Sequence, residues 1–490
     1  MTKKITQQIL QHIPIFLLAV FLIAICLLIP HQFKIAANST SWAWIGIGIA
    51  ILLAIILGTW LLNKLYKLNK YYVLIAILLL TIVPRLIWIA WIPTEAVSDY
   101  YYYNVIASYV ADHNSWSTLQ DQGILYYAPY FTHILNFSNL LSVVYKIFGN
   151  AYLVGQLYNI VITGLTAILL YIVISKRLQR TVAIGATLIF MIWPAYFMYS
   201  TLLGTEPTFL LLFVASIYIY MKMEETGFNL FWILSMAAVL VLMNLIRPLA
   251  AVILIAFIIT ALLLQKKRWD TVKKFGLVFI IFLVFTLGQS TINKLVYQIP
   301  TANSIVGYNV FIGANEKTGG QWSKEDSDTF WKLYQNPKLT NSEVDKELLN
   351  KGIKRYQVMA KNGGLFKHMK NKLVHYSDEG YGYSWNIYSQ APIIWDYSKI
   401  ILQVSNVFLY LMLVLNFGAL ILAVCLRKVP MIFLFALFQL GFILSGLLVE
   451  VQGRYHIALI IGSSILTAWF LNESWSLLKR KLSRKQEELG

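Results

Sequence analysis

The chain has 490 residues, of which 58% are hydrophobic and 13% charged, and its formal net charge is +18 at pH 7. The mean hydropathy is +0.65, and apolar runs of about 20 residues recur from end to end, which excludes an ordinary soluble domain and predicts an integral membrane protein. The Lys and Arg residues lie mostly in short loops between apolar runs, where anionic lipid headgroups are the natural partner, so the positive charge does not indicate nucleic-acid binding.

Hydropathy predicts an all-α, polytopic membrane protein of about 12 transmembrane helices. The predicted spans are 14–30, 43–62, 72–92, 151–174, 181–201, 206–222, 229–246, 248–265, 274–294, 401–426, 429–448 and 455–472. Only Arg247 and Pro248 separate two of these spans, and merging them would invert the orientation of everything that follows. The first span resembles a signal peptide, but further spans follow closely, so an uncleaved helix is expected.

Basic residues occur in every second loop, and the positive-inside rule therefore places both termini in the cytoplasm. The two long loops, 93–150 and 295–400, then fall on the outer side. The basic loop residues are Lys3 and Lys4, then Lys64, Lys67 and Lys70, then Lys176, Arg177 and Arg180, then Lys266, Lys267, Arg268, Lys273 and Lys274, then Arg427 and Lys428, and finally the tail from Lys479 to Lys485.

The outer loops differ in character. Segment 134–149 is apolar and polar by turns and too short to span a membrane, which predicts an interfacial helix. Segment 295–400 mixes Gly, Asn, Trp and charge, and its thin apolar content predicts a small, mainly helical cap rather than an independent enzyme domain. Cys26 and Cys425 lie in different apolar runs without a metal-ligand pattern, and we expect each to pack as a small apolar residue.

Few ionisable residues lie in or against the predicted spans. Each costs about 2.5–3.5 kcal/mol in hydrocarbon, so it needs a partner or a water-filled cavity. The predicted topology puts most of them at outer helix ends, and Arg85 two turns below one. Together with Asp99 they are expected to outline one outward-facing polar cavity. The set is Arg85, Glu206, Arg247, Glu450, Arg454 and His456.

Each of these residues also has a purely structural interpretation. Glu206, followed by proline, has the form of a helix start. Glu450 and Arg454 stand four residues apart, which suits a local ion pair. Arg85 in mid-span indicates either an internal partner or a bound anion. His456 suits a hydrogen bond at a helix mouth.

The stretch PTEAVSDYYYYN, residues 93–104, places Glu95, Asp99 and four tyrosines directly after an apolar span. A carboxylate near several arginines has the ingredients of a general base whose partners bind an anionic leaving group. A basic cavity at the membrane surface suits a lipid phosphate, so we expect group transfer from a lipid phosphate to a hydroxyl. Glu95 is a supporting or solvated acid, and the tyrosines are divided between an aromatic belt and the cavity wall, to which we assign Tyr102.

These residues also carry a family resemblance. The run PRLIWIAWIPTEAVSDYYYYNVIASYV resembles the opening of the GT-C membrane glycosyltransferases, in the protein O-mannosyltransferase and aminoarabinose transferase branch. Further similar runs follow in the same order over roughly residues 71–475. They are FGNAYLVGQLYNIVITGLTAILLYIVISKR, YSTLLGTEPTFLLLF, NLIRPLA and EVQGRYHIALI, and GYNVFIGANEKTGGQW at 307–322 is similar to a segment of the large outer loop of some bacterial members.

The resemblance implies an inverting transferase that uses a polyprenyl-phosphate sugar, with Asp99 as catalytic base. It makes Arg247 and Arg454, with Arg85, candidates for the donor phosphate, and Glu206 a cavity residue. We add further cavity candidates from their positions: Glu450, His456, Tyr102 and Glu95. Many relatives have an Asp-Glu pair where this chain has an Asp-Tyr pair, which argues against a second acid or a divalent metal there.

The expected organisation has five parts. Residues 1–70 add two helices, 71–294 form the core with its first outer loop, 295–400 the cap, 401–475 the last helices, and 476–490 a basic cytoplasmic tail. The expected partners are membrane lipids, an undecaprenyl-phosphate sugar, and a glycan, teichoic acid, lipid or protein acceptor, at the outer face of a bacterial plasma membrane. No nucleotide-binding motif is evident, and no cofactor is assigned.

Three other functions fit parts of this pattern. A secondary transporter suits the number of spans, although transporters tend to show repeated halves with midplane sites. A polysaccharide polymerase or ligase shares the lipid-linked donor and would use His368 and His375 in the second outer loop. A noncatalytic scaffold that binds lipid-linked intermediates would not need the Asp99 carboxylate.

Overall fold

The computed structural model describes residues 2–37, 42–113, 117–125, 128–264, 268–297, 301, 304–380, 387 and 397–487. Within these ranges every regular element is helical. The helices are α1 (Thr2–Ala36), α2 (Ala43–Leu68), α3 (Lys70–Trp91), α4 (Asp99–His113), α5 (Ser117–Asp121), α6 (Thr132–Phe148), α7 (Tyr152–Arg177), α8 (Arg180–Ile192), α9 (Pro194–Tyr199), α10 (Glu206–Thr226), α11 (Leu230–Ile246), α12 (Ala250–Leu264), α13 (Arg268–Tyr297), α14 (Val306–Gly313), α15 (Lys324–Tyr334), α16 (Asn341–Lys361), α17 (Leu365–Tyr376), α18 (Ser398–Cys425), α19 (Val429–Leu448), the 3-10 helix η1 (Gly453–Leu459) and α20 (Ile460–Glu487).

The described part of the chain contains nine helices that are long and apolar enough to cross a membrane. The remaining three predicted spans correspond to the shorter apolar helices α8, α11 and α12. The polytopic all-α architecture is therefore confirmed, whereas the count of about 12 spans is not. Lys266 and Lys267, which entered the orientation argument, lie outside the described residues, as do residues 488–490 of the predicted tail.

Two of the helices, α8 and α11, end where a proline follows. Trp193 is extended, with ψ of 114°, because the residue before a proline is disfavoured in the helical region, and so α8 ends before Pro194. Arg247 is likewise extended, with φ of −146° and ψ of 126°, and precedes Pro248. The chain thus forms α11 and α12 as separate helices, as the unmerged prediction requires.

The middle of the bundle is built from α7, α10, α19 and α20, whose faces are mostly buried, while α2 and α3 expose apolar side chains. The two N-terminal helices pack against the bundle: α1 contacts α18 and α19, and α2 contacts α3, α8 and α18. Cys26 and Cys425 are both exposed on their helices, so neither packs in the interior as predicted.

Segment 93–150, which the sequence predicts to be the first outer loop, contains α4 and α6, which run parallel. The rings of Tyr103 and Phe137 lie 5.1 Å apart, and Asn150 Nδ2 donates to Asp112 Oδ2 at 3.0 Å. Residue numbers therefore rise together along both helices. Helix α6 covers the segment predicted to be interfacial and exposes Val143, Ile147 and Phe148 on one side.

The second outer loop forms the helices α14 to α17, which we call the cap. Its aromatic core is shared with the first outer loop, because Tyr130 packs on Tyr308 and Phe330 with ring centroids 6.3 and 5.0 Å away. The Tyr130 hydroxyl also donates to Asp345 Oδ1 at 2.8 Å. Local signals start the cap helices: Thr340 forms a reciprocal capping box at the start of α16.

The cap is hydrogen-bonded to the segment between α19 and η1, and we call these contacts the clasp. Glu450 N donates to Asn309 O at 2.6 Å, and Val451 N donates to Gly320 O at 3.0 Å. Lys372 Nζ donates to the carbonyl oxygens of Gly313 at 3.0 Å and Val449 at 2.6 Å. A Cβ at Gly313 would lie 2.3 Å from the Val449 carbonyl carbon, so the close approach requires glycine.

Candidate active site

Four charged residues meet at the ends of helices that are far apart in sequence, and we call them the charge cluster. Asp99 begins α4, Glu206 begins α10, Arg247 follows α11, and Arg454 lies in η1. Arg454 Nη2 donates to Asp99 Oδ2 at 3.0 Å. Arg247 Nη1 donates to Glu206 Oε1 at 2.5 Å and to Thr205 Oγ1 at 3.4 Å. Each of the two carboxylates thus has an arginine partner.

The two ion pairs differ in exposure. The side chains of Asp99 and Arg454 are 24% and 21% exposed, whereas Glu206 is 2% exposed and Arg247 13%. The Asp99 carboxylate can therefore meet a substrate from outside, while Glu206 is placed to hold Arg247. Glu206 also begins its helix with a proline behind it, so its structural and site roles coexist.

The chain bends sharply into Asp99. Ser98 has a φ of 53°, in the left-handed region that residues other than glycine seldom occupy. This turn ends the irregular segment after α3 and sets the direction in which α4 begins. Such backbone conformations cluster at functional sites, because they persist only where surrounding contacts hold them.

Aromatic side chains enclose the cluster. The Tyr455 ring centroid lies 5.7 Å from the Arg247 guanidinium carbon and 5.9 Å from that of Arg454, so one ring faces both cations. Tyr100 and Tyr103 are each 3% exposed. Burial raises the pKa of Tyr100, with a further contribution from Glu206, so its phenol stays protonated.

The cluster retains hydrogen-bonding capacity within the described part of the chain. Arg454 Nε, the Tyr100 hydroxyl and Glu206 Oε2 are buried there without a hydrogen-bond partner. Arg247 uses only Nη1 in its two side-chain hydrogen bonds. Two guanidinium groups with donors to spare can bind a bidentate anion such as a phosphate.

Glu450 takes a different partner from the one its spacing suggested. Arg454 pairs with Asp99, and Glu450 accepts from Gln452 Nε2 at 2.8 Å. A helical pair four residues apart is not formed, because α19 ends before Glu450 and Gln452 is extended. Burial raises the pKa of the Glu450 carboxyl, and the nearby Asp99 adds to the increase.

His456 connects the bundle to the second outer loop. Its Nε2 lies 2.8 Å from Glu379 Oε1, and both side chains are almost fully buried. Trp193 Nε1 donates to the same oxygen at 3.3 Å. The predicted hydrogen bond at the start of the helix is made by His456 Nδ1, which donates to Gly453 O. The ion-pair contact with Glu379 was not foreseen, because a single acid in a polar loop gives no sequence signal.

Arg85 does not join the charge cluster. It is fully buried, and its Nε donates to Ser200 Oγ at 2.6 Å while Nη1 donates to Thr81 O at 2.9 Å. Nη2 donates to Met191 O at 3.2 Å, and the guanidinium carbon lies 4.7 Å from the Phe197 ring centroid. The internal-partner interpretation therefore describes Arg85, and the cavity interpretation does not.

The other predicted residues are peripheral or belong to the cap. Glu95 is exposed on the segment between α3 and α4, and Tyr102 is half-buried against Tyr101, so Tyr100 and Tyr103 are the tyrosines beside the charges. His368 Nε2 lies 2.9 Å from Gly313 O in the clasp, and His375 lies on the same cap helix, α17.

His133 was also not foreseen as a residue of the site. His133 lies in the first turn of α6, and burial lowers its pKa to about 4, with Asp99 opposing that shift and Arg247 adding to it. Arg454 and Glu206 also act on its charge. The spacing of His133 and Phe137 on one face of an amphipathic helix was a usable signal, because α4 packs on that face.

A cavity of about 500 Å³ lies between α6, α7, α10, α11 and α13. Its wall is mainly apolar, with amides from α6 and α13 on its lining. Ile246 and Thr208 belong to it and are close in sequence to Arg247 and Glu206, so the cavity adjoins the buried ion pair. Its lining includes Asn136, Leu211, Leu242, Ile246, Phe285 and Gln289.

Among the residues that the structure describes, no group of three or more His, Cys, Asp or Glu side chains is placed to hold a metal ion.

The fold and the site together define a polytopic membrane protein with an acid and arginine cluster suited to group transfer. Residues 134–288 match the dolichyl-phosphate-mannose-protein mannosyltransferase family, which supports a membrane glycosyltransferase of the GT-C superfamily that uses a lipid-linked sugar. The matched segment contains Glu206 and Arg247, whereas Asp99 and Arg454 lie outside it. No curated protein matches the chain.

Proposed function

We propose that the protein transfers a sugar from an undecaprenyl-phosphate carrier to a hydroxyl of a cell-envelope acceptor, at the outer face of a bacterial plasma membrane and with inversion at the anomeric carbon. The observation that carries the proposal is the Asp99 and Arg454 pair, 3.0 Å apart and partly exposed, near the partly buried Arg247. An exposed carboxylate beside two cations combines a base with a site for an anionic leaving group.

The donor phosphate is bound by Arg247 and Arg454. Both guanidinium groups retain donors that the described residues do not use, and the Tyr455 ring lies against both. Glu206 holds Arg247 in place and neutralises part of its charge. Because negative charge grows on the phosphate oxygen as the sugar departs, these cations stabilise the transition state more than the ground state.

The cavity beside the ion pair suits the lipid part of such a donor. Its wall is mainly apolar, and Ile246 brings it next to Arg247. A prenyl chain lying there has its phosphate at the arginines. The amides on the lining, such as Asn136 and Gln289, suit the polar end of the carrier rather than its hydrocarbon.

The reaction is a single displacement. The acceptor hydroxyl gives its proton to the Asp99 carboxylate as its oxygen forms a bond to the anomeric carbon. The bond from that carbon to the phosphate oxygen breaks, and the electron pair leaves with the polyprenyl phosphate. Attack opposite the leaving group inverts the anomeric carbon, and one base is sufficient because no covalent enzyme intermediate is formed.

The basic loops support the proposed orientation. Lys64 and Lys67 lie near the end of α2, Lys176 lies in the last turn of α7, and Lys428 immediately precedes α19. The predicted register puts these ends on one side and the charge cluster on the other. Both termini are then cytoplasmic, and the core, cap and tail divide the chain as the sequence predicts.

The test is transfer of radiolabelled sugar from a panel of synthetic polyprenyl-phosphate sugars by the purified protein in lipid, with cell-envelope acceptors. Asp99→Asn is compared with wild type, and Glu95→Gln is the matched control because Glu95 is an exposed acid on the segment that precedes Asp99. Transfer that is lost in Asp99→Asn and kept in Glu95→Gln is expected. Absence of transfer from every donor, or equal rates in Asp99→Asn and wild type, would contradict the proposal.

A further inference from the structure

We infer that His133 contacts the acceptor in this transferase, its N–H donating to the acceptor oxygen while the acceptor O–H donates to Asp99. The inference rests on the proposed function and assigns the acceptor side of the same site. On the acceptor side, the partly exposed Asp99 carboxylate then has a neutral partner, whereas the donor side has two arginines.

The register of two helices carries the inference. Helices α4 and α6 run parallel, and the ring of Tyr103 contacts that of Phe137 at 5.1 Å. One turn earlier on each helix stand Asp99 and His133, four residues before those two aromatics. Residues four apart lie on the same helix face, so Asp99 and His133 begin facing stripes of the two helices.

The charged residues around His133 agree with this helix register. The charges that act on His133 are those of Asp99, Arg247, Arg454 and Glu206, which are the four members of the charge cluster. The side chain is partly buried, and it makes no hydrogen bond with the described residues. Its ring packs near Phe131, with centroids 6.3 Å apart.

A neutral imidazole suits the acceptor hydroxyl better than the donor phosphate. With a pKa of about 4, His133 is uncharged at neutral pH, so it does not compete with the arginines for a phosphate. A neutral imidazole carries one N–H donor and one acceptor nitrogen. An N–H bonded to the acceptor oxygen fixes one lone pair, the O–H points to the carboxylate, and the other lone pair remains for the anomeric carbon.

The experiment compares His133→Phe, which keeps a ring and removes the donor, with His133→Gln, which keeps an N–H donor. Initial rates of transfer are measured against acceptor and against donor concentration, and release of sugar to water is measured without acceptor. We expect the acceptor KM to rise or kcat to fall by about tenfold in His133→Phe. The donor KM should stay within about twofold of wild type, and His133→Gln should recover much of the loss.

His113→Phe is the matched control, because His113 is an exposed histidine at the far end of α4. Thermal unfolding of each variant identifies a folding failure, and in that case His133→Gln and His133→Asn are compared with wild type. Equal acceptor kinetics in the folded His133 variants and wild type would overturn the inference alone. A wild type that neither transfers nor releases sugar from any donor would instead overturn the proposed function.

Discussion

Asp99 and Arg454 are separated by 355 residues in sequence, yet their side chains meet at 3.0 Å. The pair joins the first outer loop to the segment before α20, while Glu206 and Arg247 join α10 to the end of α11. The site is thus assembled from both halves of the chain. Its geometry therefore depends on how the helices pack and on how the cap holds the segment carrying Arg454.

The Glu206 and Arg247 pair offers a test that separates stability from function. Removing one partner of a buried ion pair costs about 3–5 kcal/mol, because the other charge stays buried without compensation. Arg247→Met should therefore lower the unfolding temperature in detergent and abolish transfer. The double variant Glu206→Met/Arg247→Met should regain stability without regaining transfer. A double variant that transfers sugar would remove Arg247 from the donor site.

Unlike Arg247, Arg85 should affect stability without affecting donor binding. Its hydrogen bonds to Ser200 and to two backbone carbonyls make it a packing element of the bundle. Arg85→Met should lower the unfolding temperature, because Thr81 O, Met191 O and Ser200 Oγ each lose a buried hydrogen-bond donor. Donor KM, measured on the folded fraction, should match wild type. A donor KM raised by about tenfold or more would return Arg85 to the list of phosphate ligands.

The clasp predicts that a methyl group far from the reacting atoms can slow transfer. A Cβ at Gly313 would meet the Val449 carbonyl carbon at 2.3 Å, so Gly313→Ala must displace the segment that leads to Arg454. We expect kcat to fall by about tenfold or more, since catalysis depends strongly on positioning. Gly276→Ala is the control, because nothing lies within 4 Å of a Cβ there. Equal kcat in the two variants would show that the clasp does not position Arg454.

Glu450 predicts a pH dependence of stability. Its folded pKa is raised by burial, so above its unfolded pKa the folded state holds more protons than the unfolded state, and stability falls as pH rises. Glu450→Gln removes this titration. The variant should gain unfolding temperature over wild type at pH 8, and gain less or nothing at pH 4.5. Thermal unfolding in detergent at the two pH values measures this difference, and a constant difference would contradict the assigned shift.

The apolar helices and the charged helix ends could be predicted from sequence because both carry a strong energetic signal. A charge in an apolar span is costly, so Glu206, Arg247 and Arg454 stood out. The partner of Arg454 could not be predicted, since Glu450 was the nearest acid in sequence and nothing in the sequence shows that α19 ends before it. His133 and Glu379 lie in the predicted outer loops. Polar residues there have little free-energy cost, so their presence in the sequence does not indicate a site.

Tyr130 links the cap to the loop that carries Asp99. Its ring lies in the aromatic core of the cap, and its hydroxyl is bonded to Asp345, although Tyr130 belongs to the loop that begins with Asp99. The cap cannot lift from the bundle without pulling on that loop or breaking a buried contact. In the proposed reaction, an acceptor that entered by displacing the cap would therefore also displace the segment that carries the proposed base.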